Sequence, residues 1–562
     1  MRSRKDQQDR SRLTPEERGG IIEIVTKLAE GREIIAICAY GSKVAGYGKP
    51  ESDYDVILVL SEYPPKVRYR YVSEGLNVSA LLVDKDSLIS DAEEGKLGEF
   101  VVGRLLNVYE PLMGEEYLKG VEYRYKKRVI IETIYEIVST YGDFSYSLRI
   151  PIEYFLFEKL KKRAAIYPPA LYSYVKTYGG AWAKENLKAT LTGFQEALKS
   201  VEEDGLISVK GDEVSIRSGA VRHQAFGRFK LMMKHTTRGL KQYAVHGYAG
   251  RVGWDVIGKE IASKLWRSKE VGEVPDEIKR PKNLWRVEEG LLLIEGEEWQ
   301  DRLAQHLGLG KDLKLTHKRL GELYNITYLY TLEGKDKRVR VVVKKFGDIK
   351  SYKWALLNFW ALPARRFRTS PLARLSNEYS LIRSFRYLGL NTPEVLAIIL
   401  HDKVLITRFI EGIEVGKIIS EILQDRSNDY SVIQMLGEEF GKVHKQGYSL
   451  GDTKPSNYIY DGAKIYLTDL EQAGMGGDQA WDIAEFLYYS AKLTLDSEKV
   501  RKITNAFLNG YLRRASIDAV KKSLNVRYIA PFQPILSPHV VKVLREEVED
   551  VVKGQLKGAL SS

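Results

Sequence analysis

The stretch Gly451-Asp452-Thr453-Lys454-Pro455-Ser456-Asn457, with Asp469 following in Leu467-Thr468-Asp469, decides how the C-terminal half of the chain is read. Asp452 and Asn457 stand five positions apart. At that spacing one loop can present a carboxylate to an acceptor hydroxyl and an amide oxygen to a metal. Asp469 ends the short strand expected over Lys464 to Thr468, where it would hold the main magnesium ion on a nucleoside triphosphate. Working outward, Val341-Val342-Val343-Lys344 reads as a buried strand ending in lysine, and Glu378 follows on a helix in Ser376-Asn377-Glu378-Tyr379. Phosphoryl transfer needs a lysine on the phosphates, a carboxylate to orient it, a base near the acceptor, and metal ligands. This chain supplies them in that order.

From Gly451 onward, and over residues 312–510, the set resembles the atypical protein-kinase-like superfamily: RIO kinases, the small archaeal KEOPS-complex kinase, lipopolysaccharide kinases and aminoglycoside phosphotransferases. The resemblance implies a two-lobed fold that takes ATP with Mg2+ and transfers phosphoryl to a hydroxyl of a protein, an RNA or a small molecule. It implies Asp452 as base, Lys344 and Glu378 as the phosphate-holding pair, Glu411 with Gly412 at the nucleotide hinge, and Asn457 and Asp469 as metal ligands. Asp482 would brace the catalytic loop.

Departures from the kinase pattern concern the substrate. The nucleotide-covering loop lacks G-x-G-x-x-G and offers only Gly321. Leu450 stands where a histidine usually precedes the loop, and His444 matches the earlier histidine at a helix end. Asp469-Leu470-Glu471 replaces Asp-Phe-Gly, with Glu471 read as a surface acid and an added metal ligand as the alternative. Residues 470–481 leave no room for a regulated activation segment. Between Lys344 and Glu378 runs a basic insertion threaded with aromatics: Lys350, Lys353, Trp354, Phe359, Trp360, Arg365, Arg366, Phe367, Arg368 and Arg374. Its aromatics are expected to pack on the small lobe with the arginines solvated, the alternative being a platform for a nucleic-acid strand.

A second acidic signature lies near the start. The apolar strand Ile34 to Ala39 runs into Tyr40-Gly41-Ser42, and Ser52-Asp53-Tyr54-Asp55 opens another strand reaching Leu60. Glycine at 41 admits a triphosphate close to the backbone, and the Ser42 hydroxyl can hold its terminal phosphates. Asp53 and Asp55, two apart on a strand, point to one side and can share metal ions. This pattern resembles the polymerase-beta nucleotidyltransferase superfamily over residues 20–140. The resemblance implies a small mixed sheet flanked by helices, with nucleoside monophosphate passed to a hydroxyl. The family's third carboxylate is missing from the next strand, where Asn77 or Ser79 occupies its place. An active site would need Asp84, Asp86 or a residue off the strand instead.

The chain is thus expected to be an α+β multidomain protein, two nucleotide-using folds in 562 residues. Residues 1–13 are read as a basic disordered tail, 14–145 as the nucleotidyltransferase-like domain, and 146–220 as a winged-helix module whose wing strands flank Gly211-Asp212. Residues 221–283 are read as a helical region and linker, 284–515 as the kinase-like domain, and 516–562 as a helical extension. With 44% hydrophobic and 29% charged residues the composition is that of an ordinary globular protein. No apolar run is long enough for a membrane span, and MRSRKDQQDRSR has no apolar core for a signal peptide, so a cytoplasmic location is expected. Cys38 is the only cysteine and sits in an apolar run, which excludes an internal disulfide or a cysteine metal cluster within one chain and favours a buried small hydrophobe. A net charge of +12 makes RNA or a nucleotide-bearing substrate the first candidate partner. A regulatory module that uses ATP binding as a switch on RNA, and a modifier of small cationic molecules, are the rival functions.

Overall fold

The computed structural model describes residues 12–219, 273–310, 312–320, 326–347, 368–492 and 494–561. Tail residues 1–11, most of the 221–283 region, Gly321 and the insertion from Lys350 to Phe367 lie outside the described residues. The protein is mixed α/β with several sheets. It divides into two compact units: residues 1–141 with 148–286, and residues 142–147 with 287–562.

In the first unit, helix α1 (Pro15–Leu28) starts on a full capping box. The Thr14 hydroxyl accepts from Glu17 N at 3.2 Å while the Glu17 carboxylate accepts from Thr14 N at 2.8 Å, with Pro15 at the first helical position. Ahead of that cap, Leu13 is buried and the Arg12 guanidinium donates to Val44 O at 2.7 Å, so ordered packing begins inside the segment expected as tail. Strands β1 (Ile34–Tyr40), β2 (Tyr54–Leu60), β3 (Val67–Glu74), β4 (Leu76–Asp84) and β5 (Glu110–Met113) form one sheet in the order β3-β4-β2-β1-β5. β1 and β2 are antiparallel, and β2 and β4 run parallel, bringing Asp55 level with Ser79. Ile37 and Ala39, Val56, Leu58 and Leu60, and Val78, Ala80 and Leu82 pack with Ile21, Ile24 and Val25 of α1 into one core cluster. Cys38 is buried, and burial pushes its thiol up to about 12.

Beyond helix α2 (Glu115–Tyr141), a short strand β6 (Leu148–Pro151) pairs with the hairpin β7 (Ile207–Lys210) and β8 (Glu213–Ile216), Ile150 lying opposite Val214. Beneath that helix Glu99 is buried among Lys159 at 2.8 Å, Arg128 at 3.0 Å and Arg163 at 3.4 Å. Burial alone would raise the Glu99 carboxyl, but the three cations outweigh it and hold it well below the usual range.

In the second unit a six-stranded sheet contains β9 (Leu291–Leu293), β10 (Lys314–Leu320), β11 (Thr327–Glu333), β12 (Arg338–Lys345), β13 (Val395–Ile399) and β14 (Val404–Arg408), in the order β9-β13-β14-β12-β11-β10. Alternation explains β12: Val339, Val341 and Val343 face the core with Leu332, Leu396 and Ile406. Helix α3 (Pro371–Tyr387) precedes β13, and the remainder carries α4 (Ser431–Lys445), the hairpin β15 (Tyr458–Tyr460) and β16 (Ile465–Leu467), α5 (Gln479–Ala491), α6 (Ser497–Leu512) and α7 (Pro538–Ser561). Phe144 of the 142–147 segment is fully buried in this unit, its ring 6.1 Å from that of Tyr379. Among the described residues no helix is long and apolar enough to cross a membrane.

Candidate active site

Lys344 ends its run of valines on β12, where strand alternation turns its ammonium away from the Val341 and Val343 core face. There it meets Glu378 of α3 at 2.5 Å, Asp469 at 2.5 Å and Glu471 at 3.5 Å. Burial works to lower the Lys344 pKa, but Asp469, Glu378 and Glu471 more than reverse it, so the side chain stays a cation. Burial pushes Glu378 up to about 7 despite the pull of Lys344. Carboxylate oxygens of Glu378, Asp469 and Glu471 all lie within 4.8 Å of one another.

Asp469 reaches this point because the β15–β16 hairpin registers Tyr458 against Leu467. The next rung ties Thr468 N to Asn457 O at 3.0 Å, which places Asn457 beside the residue preceding Asp469. Asp469 itself adopts a left-handed backbone with φ of 54°, a strained conformation of the sort found at functional turns.

The loop from Gly451 is held by a buried network. Asp482 of α5 accepts from Leu450 N at 2.5 Å, Gly451 N at 2.7 Å and the His444 ring at 3.0 Å. Glu485, one turn further along α5, accepts from Thr453 N at 2.9 Å and from the Trp481 indole at 3.0 Å. Burial pushes its carboxyl up to about 8, with the Asp452 charge adding to the rise. Asp452 is thereby fixed, its Oδ1 accepting from Lys454 Nζ at 2.5 Å and its carbonyl from Asn457 Nδ2 at 2.9 Å.

Lys344, Glu378 and Asp469 therefore come together, and Asp452 and Asn457 share one loop. Glu411 is exposed and ion-paired with Arg340. Two expectations fail here. Glu471 is not a surface acid: it is fully buried and paired with Arg374 at 3.5 Å. Arg374 is likewise not a solvated arginine of the insertion but is fully buried on α3. Sequence reasoning also passed over Glu485, whose only outward sign is its position three residues after Asp482 and four after Trp481.

In the first unit Gly41 has φ of 81°, and a Cβ there would collide with the Asp55 carboxylate. Ser42 opens a four-residue helix, Asp53 is exposed, and Asp55 is half-buried at the start of β2. Ser79, opposite Asp55, is buried. Asp84 lies opposite Leu60 at the far end of β4, where it accepts from Ser87 N at 2.9 Å and Tyr63 N at 3.3 Å and caps the next helix. An unanticipated cation, Arg104, donates to the Tyr40 hydroxyl at 3.0 Å and to that of Tyr69 at 2.6 Å.

No family model matches the chain. Over 147 residues, 26% of this chain and 25% of the other, it is 26% identical to a protein of Methanocaldococcus jannaschii named "Probable bifunctional tRNA threonylcarbamoyladenosine biosynthesis protein". The match thus spans about a quarter of that relative's length. Among solved structures it is similar to WbdD, with a TM-score of 0.26 and 12% identity over 40% of this chain and 51% of that one. WbdD crystallised with the kinase inhibitor LY294002 gives 0.25 and 12% over 38% and 49%. A third structure, described as the bifunctional kinase-methyltransferase WbdD, gives 0.24 and 12% over 37% and 47%.

Proposed function

We propose that the second unit is a kinase-like phosphotransferase that moves the γ-phosphoryl group of ATP to an acceptor hydroxyl. The observation that carries this reading is the Lys344 ammonium held between Glu378 and Asp469, in a unit that also sets Asp452 and Asn457 on one braced loop. Lys344 would sit against the phosphates and Glu378 would orient it. Asp452 would take the hydroxyl proton as the new P–O bond forms and the bond to the bridging oxygen breaks, releasing ADP. Lys454, on the Asp452 carboxylate, orients that base. The oxygen donors of Asp469 and Asn457 suit magnesium, which when bound offsets charge on the phosphates.

For the acceptor, RNA is favoured over a small molecule. The chain carries a net charge of +12, and the relative it matches is named for biosynthesis of a modified tRNA nucleoside. The first unit is read as a nucleotidyltransferase-like domain in which Gly41, Ser42, Asp53 and Asp55 hold a triphosphate. Its transfer chemistry would be weakened, because Ser79 stands level with Asp55 and Asp84 is spent on a helix cap.

The test is a pair of incubations of the protein with magnesium and ATP labelled on the α or the γ phosphate, each with and without total RNA. Transfer of γ label alone supports both readings. Transfer of α label as fast as that of γ label refutes the weakened first site, and no transfer of γ label to any acceptor refutes the kinase-like reading.

A further inference from the structure

Arg374 and Asn377 join helix α3, which carries Glu378, to the turn that follows Asp469. The Arg374 guanidinium lies 3.5 Å from Glu471, both side chains fully buried. A second donation, from Arg374 to Gly347 O at 2.8 Å, ties it to the chain just beyond β12. Asn377, on the same helix, donates to the carbonyls of Leu470 at 3.1 Å, Glu471 at 3.1 Å and Ala473 at 2.9 Å. Ahead of the helix, Arg368 N donates to Gln472 Oε1 at 2.8 Å while Gln472 Nε2 donates to Arg368 O at 3.0 Å, a reciprocal pair. Glu471 faces two cations at once, Arg374 and Lys344, each 3.5 Å away.

We propose that Arg374 and Glu471 are positioning residues, a buried ionic latch that holds α3 against the Asp469 turn so that Lys344, Glu378 and Asp469 stay assembled without covalent modification. The proposal rests on the kinase-like reading of this unit and adds how its site is kept in register. A buried ion pair contributes little net stability compared with apolar residues of the same volume, yet breaking one half of it leaves the other charge unpaired. Its value here is therefore geometric. It makes one relative placement of helix and turn far better than any other, and Glu378 rides four residues along the same helix from Arg374. In the stretch 470–481 the contacts of Leu470, Glu471, Gln472 and Ala473 are already made, so no modified segment is required to order them.

The experiment compares the full chain with Glu471→Gln and with the double replacement Arg374→Met, Glu471→Leu. The double variant removes both charges and keeps an apolar fit, so it retains a wild-type melting temperature where the single variant could fail to fold. Hydrogen exchange of the nucleotide-free proteins is read over residues 371–387 and 469–475. The latch predicts faster exchange in both segments of the double variant, together with a rise of about tenfold in KM for magnesium-ATP or a similar fall in kcat, the range seen when groups supporting a metal site are removed. It also predicts that phosphatase treatment leaves wild-type γ transfer unchanged. Wild-type exchange in both segments of the double variant, or activity lost on phosphatase treatment, overturns it. Absence of any γ transfer by the wild type refutes the kinase-like reading, while the exchange measurement still decides whether the latch exists.

Discussion

Asp452 is the side chain through which the proposed transfer passes, and replacing it removes the base. Asp452→Ala should lower γ transfer by at least about a hundredfold while leaving the circular dichroism of the protein unchanged. Retained transfer would move the base elsewhere. Glu485 offers a test of a different kind. Burial, with the Asp452 charge, pushes its folded-state carboxyl up to about 8 from an ordinary 4.5, so the folded protein keeps a proton that the unfolded chain has already released between those values. Stability should therefore fall as pH rises through that window. Glu485→Gln keeps an acceptor for Thr453 and Trp481 but cannot ionise. Its unfolding free energy should decline less between pH 5 and pH 8 than that of the wild type, and parallel curves would show that Glu485 does not set the slope. That Lys344 meets Glu378 and Asp469, and that Asp452 and Asn457 share one loop, follows the order and spacing of these residues, because a loop between two strands fixes how its polar residues project. The burial of Glu471 and Arg374 was not legible in the sequence. Charged residues are rarely buried, and the partner that makes burial tolerable lies 97 positions away.

At the scale of elements, β1, β2 and β4 could be read from their apolar runs because both faces of these strands are covered. Edge strands escaped. β3 is VRYRYVSE and half-exposed, and every residue of β10 except Leu320 is exposed, so neither shows the hydrophobic pattern of a core strand. β13 and β14 are five-residue apolar strands, too short to distinguish from buried helix by periodicity. Helix α1 starts on its capping box, and Thr14→Ala should cost about 1 kcal/mol in chemical denaturation. Helices α4 and α6 meet through small residues. A Cβ at Gly437 would collide with Phe507 O, and one at Gly510 with Gln434 O, so the two backbones meet through paired glycines. Alanine normally stabilises a helix interior, yet Gly437→Ala should destabilise by about 1–3 kcal/mol, since the obstacle is backbone and cannot rotate away. A stabilised variant would mean that the helices sit further apart.

For the whole molecule, the chain divides into two compact units whose boundary along the chain is not a single cut. Residues 142–147 belong to the second unit although 148–286 returns to the first. A fragment beginning at 287 would lack Phe144, a fully buried ring against Tyr379. Such a fragment should melt below the corresponding transition of the full chain and bind a hydrophobic dye, and equal melting would show that Phe144 adds nothing to that core. The same interruption has a consequence during synthesis. Phe144 leaves the ribosome long before Tyr379 exists, and at roughly 5–20 residues per second the gap amounts to roughly ten to fifty seconds. Through that interval a nascent chain carries an aromatic group whose packing partner has not yet been translated, so the second unit can close over Phe144 only after residues 148–286 have left the ribosome.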